Sequence, residues 1–189
     1  RGKKIAGRGW WGFTANKAVI LVSGGSLGSV VVNNAVRQSL PELLKDFQII
    51  HLCGKGKVDD SLKDTKGYCQ FEYIKNELRD IFALADIVIS RAGANAICEL
   101  LALIKPSLLI PLSAKASRGD QILNARSFER QGFSMVLEEA ALNKDSLLTS
   151  VYRKEEERGT LIDAMRLSRN QDTITPTIRI HNKHAGISR

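Results

Sequence analysis

The chain has 189 residues, of which 43% are hydrophobic, enough for one buried core, so a single domain is expected. No window approaches 18 consecutive apolar residues, and Arg1-Gly2-Lys3-Lys4 is not followed by the apolar core of a signal peptide, which argues against a membrane span or a secretory leader. The net charge of +8 is spread along the sequence (Lys55, Lys57, Lys63, Lys66, Arg118, Arg126, Arg153, Lys154) with no aromatic-interleaved basic strand or groove-reading helix, so nucleic acid is not the expected partner. Phosphorylated substrates remain, as does an anionic membrane surface near the basic head, Arg1 to Arg8 followed by Trp10-Trp11, which reads at least as well as a strand or linker with two core tryptophans.

In chain order, apolar runs of strand length alternate with helix-like segments. Strands are expected at Ala18–Val22, Phe47–Cys53, Gln70–Tyr73, Ile87–Ser90, Ser107–Pro111 and Ser134–Leu137. Helices are expected at Val30–Leu40, Glu77–Leu84, Ala94–Leu103, Gln121–Gln131, Lys144–Tyr152 and Glu155–Ser168. Pro106 stops one helix before its strand, and Gly132 caps another. The alternation predicts an α/β fold, a Rossmann-like parallel sheet with helices on both faces. Periodicity is lost beyond about Asn170, which sets a domain at 1–170 and an irregular tail at 171–189.

In such a sheet, ligands sit at the carboxyl ends of the strands, so the loops there carry the chemistry. The first is Ser23-Gly24-Gly25-Ser26-Leu27-Gly28-Ser29. Gly24, Gly25 and Gly28 let the backbone approach an anion, Ser26 offers a hydroxyl, and the following helix presents free N–H groups and the positive end of its dipole. The glycines are spaced G-G-x-x-G, not G-x-G-x-x-G, and the next apolar run ends in Leu52-Cys53-Gly54-Lys55 with no carboxylate for a ribose. No Gly-Lys-Ser/Thr follows either, so neither a dinucleotide fingerprint nor a Walker loop is present.

The second loop, Ser90-Arg91-Ala92-Gly93-Ala94-Asn95, repeats this design and runs into a helix carrying Glu99. Its N–H groups suit a second part of the same anion, and Glu99, on the face of Asn95 and Ala96, suits two ribose hydroxyls, although a first-turn glutamate also simply favours a helix. The third loop, Leu112 to Gln121, brings Asp120, Gln121 and Asn124 to the start of a helix, either as capping and surface residues or as partners for sugar hydroxyls. Cys53, Cys69 and Cys98 form no C-x-x-C pair and read as structural thiols of a reducing cytosol. His51 reads as structural, and His181 and His184 in the tail make a poor metal site.

Four segments taken together carry a family resemblance: Gly24-Gly25-Ser26-Leu27-Gly28-Ser29 with Asn33; Ala85-Asp86-Ile87-Val88-Ile89-Ser90-Arg91-Ala92-Gly93-Ala94 through Glu99; Lys105-Pro106 with Ile110-Pro111-Leu112; and Arg118-Gly119-Asp120-Gln121-Ile122-Leu123-Asn124-Ala125. In their order and spacing the chain resembles the C-terminal, donor-binding half of the MurG family of undecaprenyl-diphospho-muramoylpentapeptide N-acetylglucosaminyltransferases, glycosyltransferase family 28. The match is close from about Phe13 to Leu137 and loose beyond. The resemblance implies one half of a GT-B architecture, two Rossmann-like domains facing across a cleft, with the N-terminal acceptor domain absent from this chain.

It further implies that UDP-N-acetylglucosamine is the ligand. Ser26 with Gly24, Gly25 and Gly28 would contact the diphosphate, and the backbone of Ile74 would read the uracil. Gly93, Ala94, Asn95 and Ala96 would form the second phosphate loop, and Glu99 would hold the ribose. Gln121, with Asp120 and Asn124 beside it, would meet the sugar, and Arg1 corresponds to an arginine after the interdomain linker. The implied reaction is inverting transfer of N-acetylglucosamine to lipid I to give lipid II in peptidoglycan synthesis, with no cofactor and no tightly held metal. In the family the general base and the acceptor and membrane surfaces belong to the N-terminal domain, so no catalytic residue is expected here. The chain alone is expected to bind donor without turnover, and the full-length protein to sit on the cytoplasmic face of the bacterial plasma membrane. A transferase half using another donor such as UDP-galactose, and a non-catalytic subunit needing a partner chain, are the alternatives.

Overall fold

Six short apolar runs pair into one parallel sheet in the order β3-β2-β1-β4-β5-β6. The computed structural model describes residues 12–25 and 28–171. The strands are β1 (Ala18–Ser23), β2 (Phe47–Leu52), β3 (Tyr68–Phe71), β4 (Ile87–Ser90), β5 (Ser107–Leu109) and β6 (Ser134–Val136). The helices are α1 (Val30–Asp46), α2 (Leu78–Leu84), α3 (Ala94–Ala102), α4 (Ala114–Ser117), α5 (Asp120–Arg130) and α6 (Lys144–Gln171). The chain starts in the middle with β1, moves outward through β2 and β3, then returns to the other side of β1 as β4. That reversal opens a crevice between β1 and β4, where ligands of open α/β sheets sit.

Side chains alternate along each strand, and here both faces are buried. Val19, Leu21, Ile50, Val88 and Leu109 point into one layer, closed by Ile81 and Leu84 of α2, Ile97, Leu100 and Leu101 of α3, and Phe128 of α5. Ile20, Val22, Ile49, Ile87, Ile89 and Leu108 point into the other, closed by Val32, Val36, Leu40 and Leu43 of α1 and by Leu147 and Val151 of α6. Helix α6 begins on this second layer but places Met165 in the first.

It therefore wraps around the sheet as one 28-residue helix, where sequence periodicity predicts two separate ones. The charged run Arg153-Lys154-Glu155-Glu156-Glu157 breaks the apolar pattern without breaking the backbone. Helix α1 likewise continues past the predicted end at Leu40 through an exposed Pro41, because Leu43 beyond it is fully buried. Strand β3 lies two residues earlier than predicted, and the one-turn helix α4 falls where a loop is expected. The tail from residue 172 on lies outside the described residues.

Tyr152 of α6 donates to Asp46 Oδ2 at 2.6 Å, and Arg158 Nη1 lies 3.9 Å from Asp86 Oδ1. Asp46 and Asp86 each stand directly before a strand, so α6 passes the amino end of the sheet, opposite the crevice. Between these two contacts Lys154 is fully buried, and its Nζ has no hydrogen-bond partner among the described residues. Burial pulls its pKa down to about 7.

At the carboxyl end, β2 and the start of α1 are in near contact. A side chain on Gly28, at φ +74, would overlap the Cys53 carbonyl, whereas one on Gly25, at φ +95, would meet nothing within 4 Å among the described residues.

Two stability predictions follow from these features. Gly25→Ala meets only the left-handed backbone penalty of about 1–2 kcal/mol, while Gly28→Ala adds an overlap that costs about 1–3 kcal/mol more; urea unfolding of both variants measures the difference. Unfolded Lys154 protonates near its ordinary 10.5 and the folded residue only near 7, so the unfolded state binds the extra proton between these values. Stability should fall as pH drops through that window. Lys154→Met should raise the unfolding free energy at pH 7 by about 1–3 kcal/mol and flatten the dependence between pH 7 and 10.

Candidate donor site at the carboxyl edge of the sheet

The strands around the crevice end level with one another. Ser23 of β1 pairs with Leu52 of β2 on one side and Ser90 of β4 on the other, and Ser90 pairs in turn with Leu109 of β5. Four loops therefore leave the sheet side by side, about 4.8 Å apart.

The first is the glycine loop. A Cβ on Gly24 would come within 2.7 Å of the Ser29 amide, so this position excludes a side chain. The Gly28 amide donates to the Gly25 carbonyl at 3.1 Å, closing the turn. Ser29 caps α1, its Oγ accepting from the Val32 amide at 3.2 Å and from Arg91 Nη2 at 2.7 Å. Both acceptor positions of that hydroxyl are taken within the protein. Ser26 and Arg1 lie outside the described residues.

The second loop follows β4. Helix α3 starts on Gly93, which brings no capping side chain, so the first-turn amides of Ala94, Asn95 and Ala96 have no intrahelical acceptor. Glu99 is exposed one turn above Asn95, on the same helix face. It stands on the rim of a groove of about 590 Å³ between α2 and α3, lined by Leu78, Arg79, Phe82, Ala83, Ala102, Leu103 and Lys105. Ile74, half-buried in the turn between β3 and α2, packs against the adjoining core. Among the described residues, the groove is the large apolar concavity beside Glu99, and the sequence gives no sign of it because α2 and α3 supply one wall each.

Arg91, quoted in the sequence motif without a role, turns out to tie the loops together. It is 7% exposed. Its guanidinium donates to Ser29 Oγ at 2.7 Å and to the carbonyls of Ile110 and Pro111 at 3.1 and 3.4 Å, and pairs with Glu139 at 2.5 Å. One side chain thus holds the start of α1, the end of β5 and the turn after β6 against the tip of β4. Its charge is neutralised inside the fold, so main-chain amides are left to face an anion here.

In the third loop Gln121, in the first turn of α5, accepts with Oε1 from the amides of Ala92 (3.2 Å) and Leu112 (2.9 Å). Its Nε2 would lie 3.8 Å from a Cβ on Gly93 and has no hydrogen-bond partner among the described residues. Asn124 is 5% exposed rather than the surface residue that its place on a helix allows. Its Nδ2 donates to the Ala92 carbonyl at 3.2 Å, and its Oδ1 is buried without a partner among the described residues. Asp120 opens α5 behind two left-handed residues, Arg118 (φ 55) and Gly119 (φ 83). Gly24, Gly25, Gly28, Gly93, Ala94, Asn95, Ala96, Glu99 and Gln121 are thus brought to one edge, with Asn124 one layer beneath. His181 and His184 lie outside the described residues. Among the described residues no group of three His, Cys, Asp or Glu side chains could hold a metal ion, and no helix is long and apolar enough to cross a membrane.

Residues 19–175 match the model of the glycosyltransferase family 28 C-terminal domain. The UDP-N-acetylglucosamine--N-acetylmuramyl-(pentapeptide) pyrophosphoryl-undecaprenol N-acetylglucosamine transferase of Lachnospira eligens is 63% identical over 92% of this chain and 49% of its own length. The protein of the same name from Lachnoclostridium phytofermentans is 59% identical over 94% of this chain and 50% of its own length. The chain thus spans about half the length of the curated relatives it matches. Among solved structures, Acinetobacter baumannii MurG superposes with a TM-score of 0.67 at 21% identity, over 88% of this chain and 48% of that one. The kitacinnamycin glycosyltransferase superposes with a TM-score of 0.70 at 19% identity, over 84% and 40%. At these identities the structures establish the fold, the Rossmann-like half of a GT-B glycosyltransferase. By sequence match over most of its length, the chain belongs to the glycosyltransferase family 28 C-terminal domain family.

Proposed function

We propose that this chain binds UDP-N-acetylglucosamine as the donor half of an inverting hexosyltransferase that adds N-acetylglucosamine to lipid I, giving lipid II in peptidoglycan synthesis. The observation that carries this is the juxtaposition, at one edge, of a glycine loop, an uncapped helix N-terminus and Glu99 one turn up that helix. The names of the 63% and 59% identical relatives supply the donor and acceptor.

In this reading the diphosphate lies between the glycine loop and the first turn of α3. The amides of Ala94, Asn95 and Ala96 stabilise the negative charge that grows on the leaving UDP. The Glu99 carboxylate accepts hydrogen bonds from the two ribose hydroxyls, the turn at Ile74 receives the uracil, and Gln121 Nε2, with Asp120 nearby, meets the sugar hydroxyls. Asn124 acts through the Ala92 carbonyl that it holds. An acceptor hydroxyl attacks the anomeric carbon from the face opposite the diphosphate. The new C–O bond forms as the bond to the phosphate oxygen breaks, that oxygen keeping the electron pair. The hydroxyl proton passes to a base that we assign to the part of the relatives' length this chain does not span, along with the lipid acceptor surface and attachment to the cytoplasmic face of the membrane.

Titration calorimetry with UDP-N-acetylglucosamine, UDP-galactose and NAD tests this. Saturable binding of the first, weaker binding of the second and none of the third are expected. Glu99→Ala should weaken UDP-N-acetylglucosamine binding about tenfold or more, the loss of charge-assisted bonds being worth about 1.5–3 kcal/mol. A preference for NAD, or indifference to Glu99→Ala, would overturn the reading.

A further inference from the structure

Beneath the glycine loop runs a line of buried polar side chains that the donor contacts above do not use. Tyr68 Oη lies 2.6 Å from His51 Nδ1, and His51 Nε2 lies 2.8 Å from Asn33 Oδ1. Asn33 Nδ2 donates to the Cys53 carbonyl at 2.9 Å. The direction of every bond follows from the last. Because the Asn33 amide nitrogen is occupied by a carbonyl, its oxygen faces the imidazole and must accept. His51 Nε2 therefore carries the hydrogen, Nδ1 offers a lone pair, and the Tyr68 hydroxyl donates to it. Burial, with the Arg37 charge nearby, pulls the imidazole pKa down to about 3, so the ring stays neutral and this polarity holds near pH 7.

The line ends on the carbonyl against which Gly28 rests with no room for a side chain. Asn33 also sits in the first turn of α1, its amide donating to the Ser29 carbonyl at 2.8 Å. On the far side Arg37 Nη2 braces the same segment through the Lys57 carbonyl (2.7 Å) and Gln70 Oε1 (2.9 Å). An apolar trio of equal volume in place of Tyr68, His51 and Asn33 would fill the same space but leave the Cys53 carbonyl without the Asn33 donor, at a cost of about 1–3 kcal/mol. It would not fix the Cys53 carbonyl.

From this geometry we infer that His51 is a positioning residue for diphosphate recognition: through Asn33 it holds the Cys53 carbonyl as the seat of Gly28, and so sets the glycine loop against the phosphates. The inference rests on the donor reading above and deepens it. His51 touches no ligand atom, and its effect reaches only the part of the ligand that meets the glycine loop. A nucleoside without phosphates should not register it.

The test measures affinities for UDP and for uridine, by calorimetry and NMR titration, together with melting temperatures, in the wild-type chain and in His51→Leu, His51→Gln and Tyr68→Phe. His51→Leu should weaken UDP tenfold or more while changing uridine less than twofold. His51→Gln, whose amide can still donate to Asn33, should restore UDP to within threefold. Tyr68→Phe, which removes one hydroxyl from an otherwise intact core, should weaken UDP threefold to fivefold and leave uridine unchanged. UDP and uridine weakening in parallel, or a lowered melting temperature with both affinities unchanged, would overturn the inference and leave the donor reading standing. Wild-type chain that binds neither UDP nor uridine would overturn both.

Discussion

The level ending of β1, β2, β4 and β5 is the constraint on which the rest of this molecule depends. Parallel pairing sets Ser23 beside Ser90 and Leu52, so the chain leaves the sheet at one height in four places. From β1, β4 and β5 a short turn leads into a helix, whereas β2 leads into a longer connection to β3. Where that turn holds glycine, as at Gly24, Gly28 and Gly93, the backbone itself becomes the surface. A binding edge made of main-chain amides needs no cationic side chain, and the one arginine at the tip of β4 is instead neutralised internally by Glu139.

This arrangement explains why several polar residues at the edge are half structural. Gln121 uses its side-chain carbonyl to tie Ala92 to Leu112, leaving only its amide nitrogen without a partner among the described residues. Asn124 holds the carbonyl of Ala92, and Ser29 is shared between its own helix and Arg91. The loops are stitched to each other before any ligand arrives, so little ordering cost is left for binding. On the proposed reading, a few polar side chains then suffice to position a large, flexible donor. The opposite edge of the sheet contrasts with this one: α6 crosses it with a buried Lys154 whose Nζ makes no hydrogen bond among the described residues.

Much of the architecture was legible in the sequence because central parallel strands read as uninterrupted apolar runs, as in Ala18–Val22 and Ile87–Ser90. The glycine loops were legible as places where side chains are excluded. Where the reading missed, the cause was tertiary. Helix α6 remained one helix because Leu147, Val151 and Met165 found two different core layers on either side of a charged stretch. Pro41 did not end α1 because burial of Leu43 outweighs one lost backbone bond. The duties of Gln121, Asn124 and Arg91 were illegible because each is decided by partners 9 to 62 residues away. Likewise His51 reads as a structural residue ending an apolar run, and only the fold shows that its bonds lead to the glycine loop.

The most direct test of a diphosphate-sugar site at this edge is a backbone NMR titration of the chain with UDP-N-acetylglucosamine. Saturable shifts at the amides of Gly24, Gly25, Gly28 and Gly93 to Ala96, together with the side-chain amide of Gln121, are the expected result. Shifts confined to the amino edge around α6, or no shift at millimolar ligand, would contradict it.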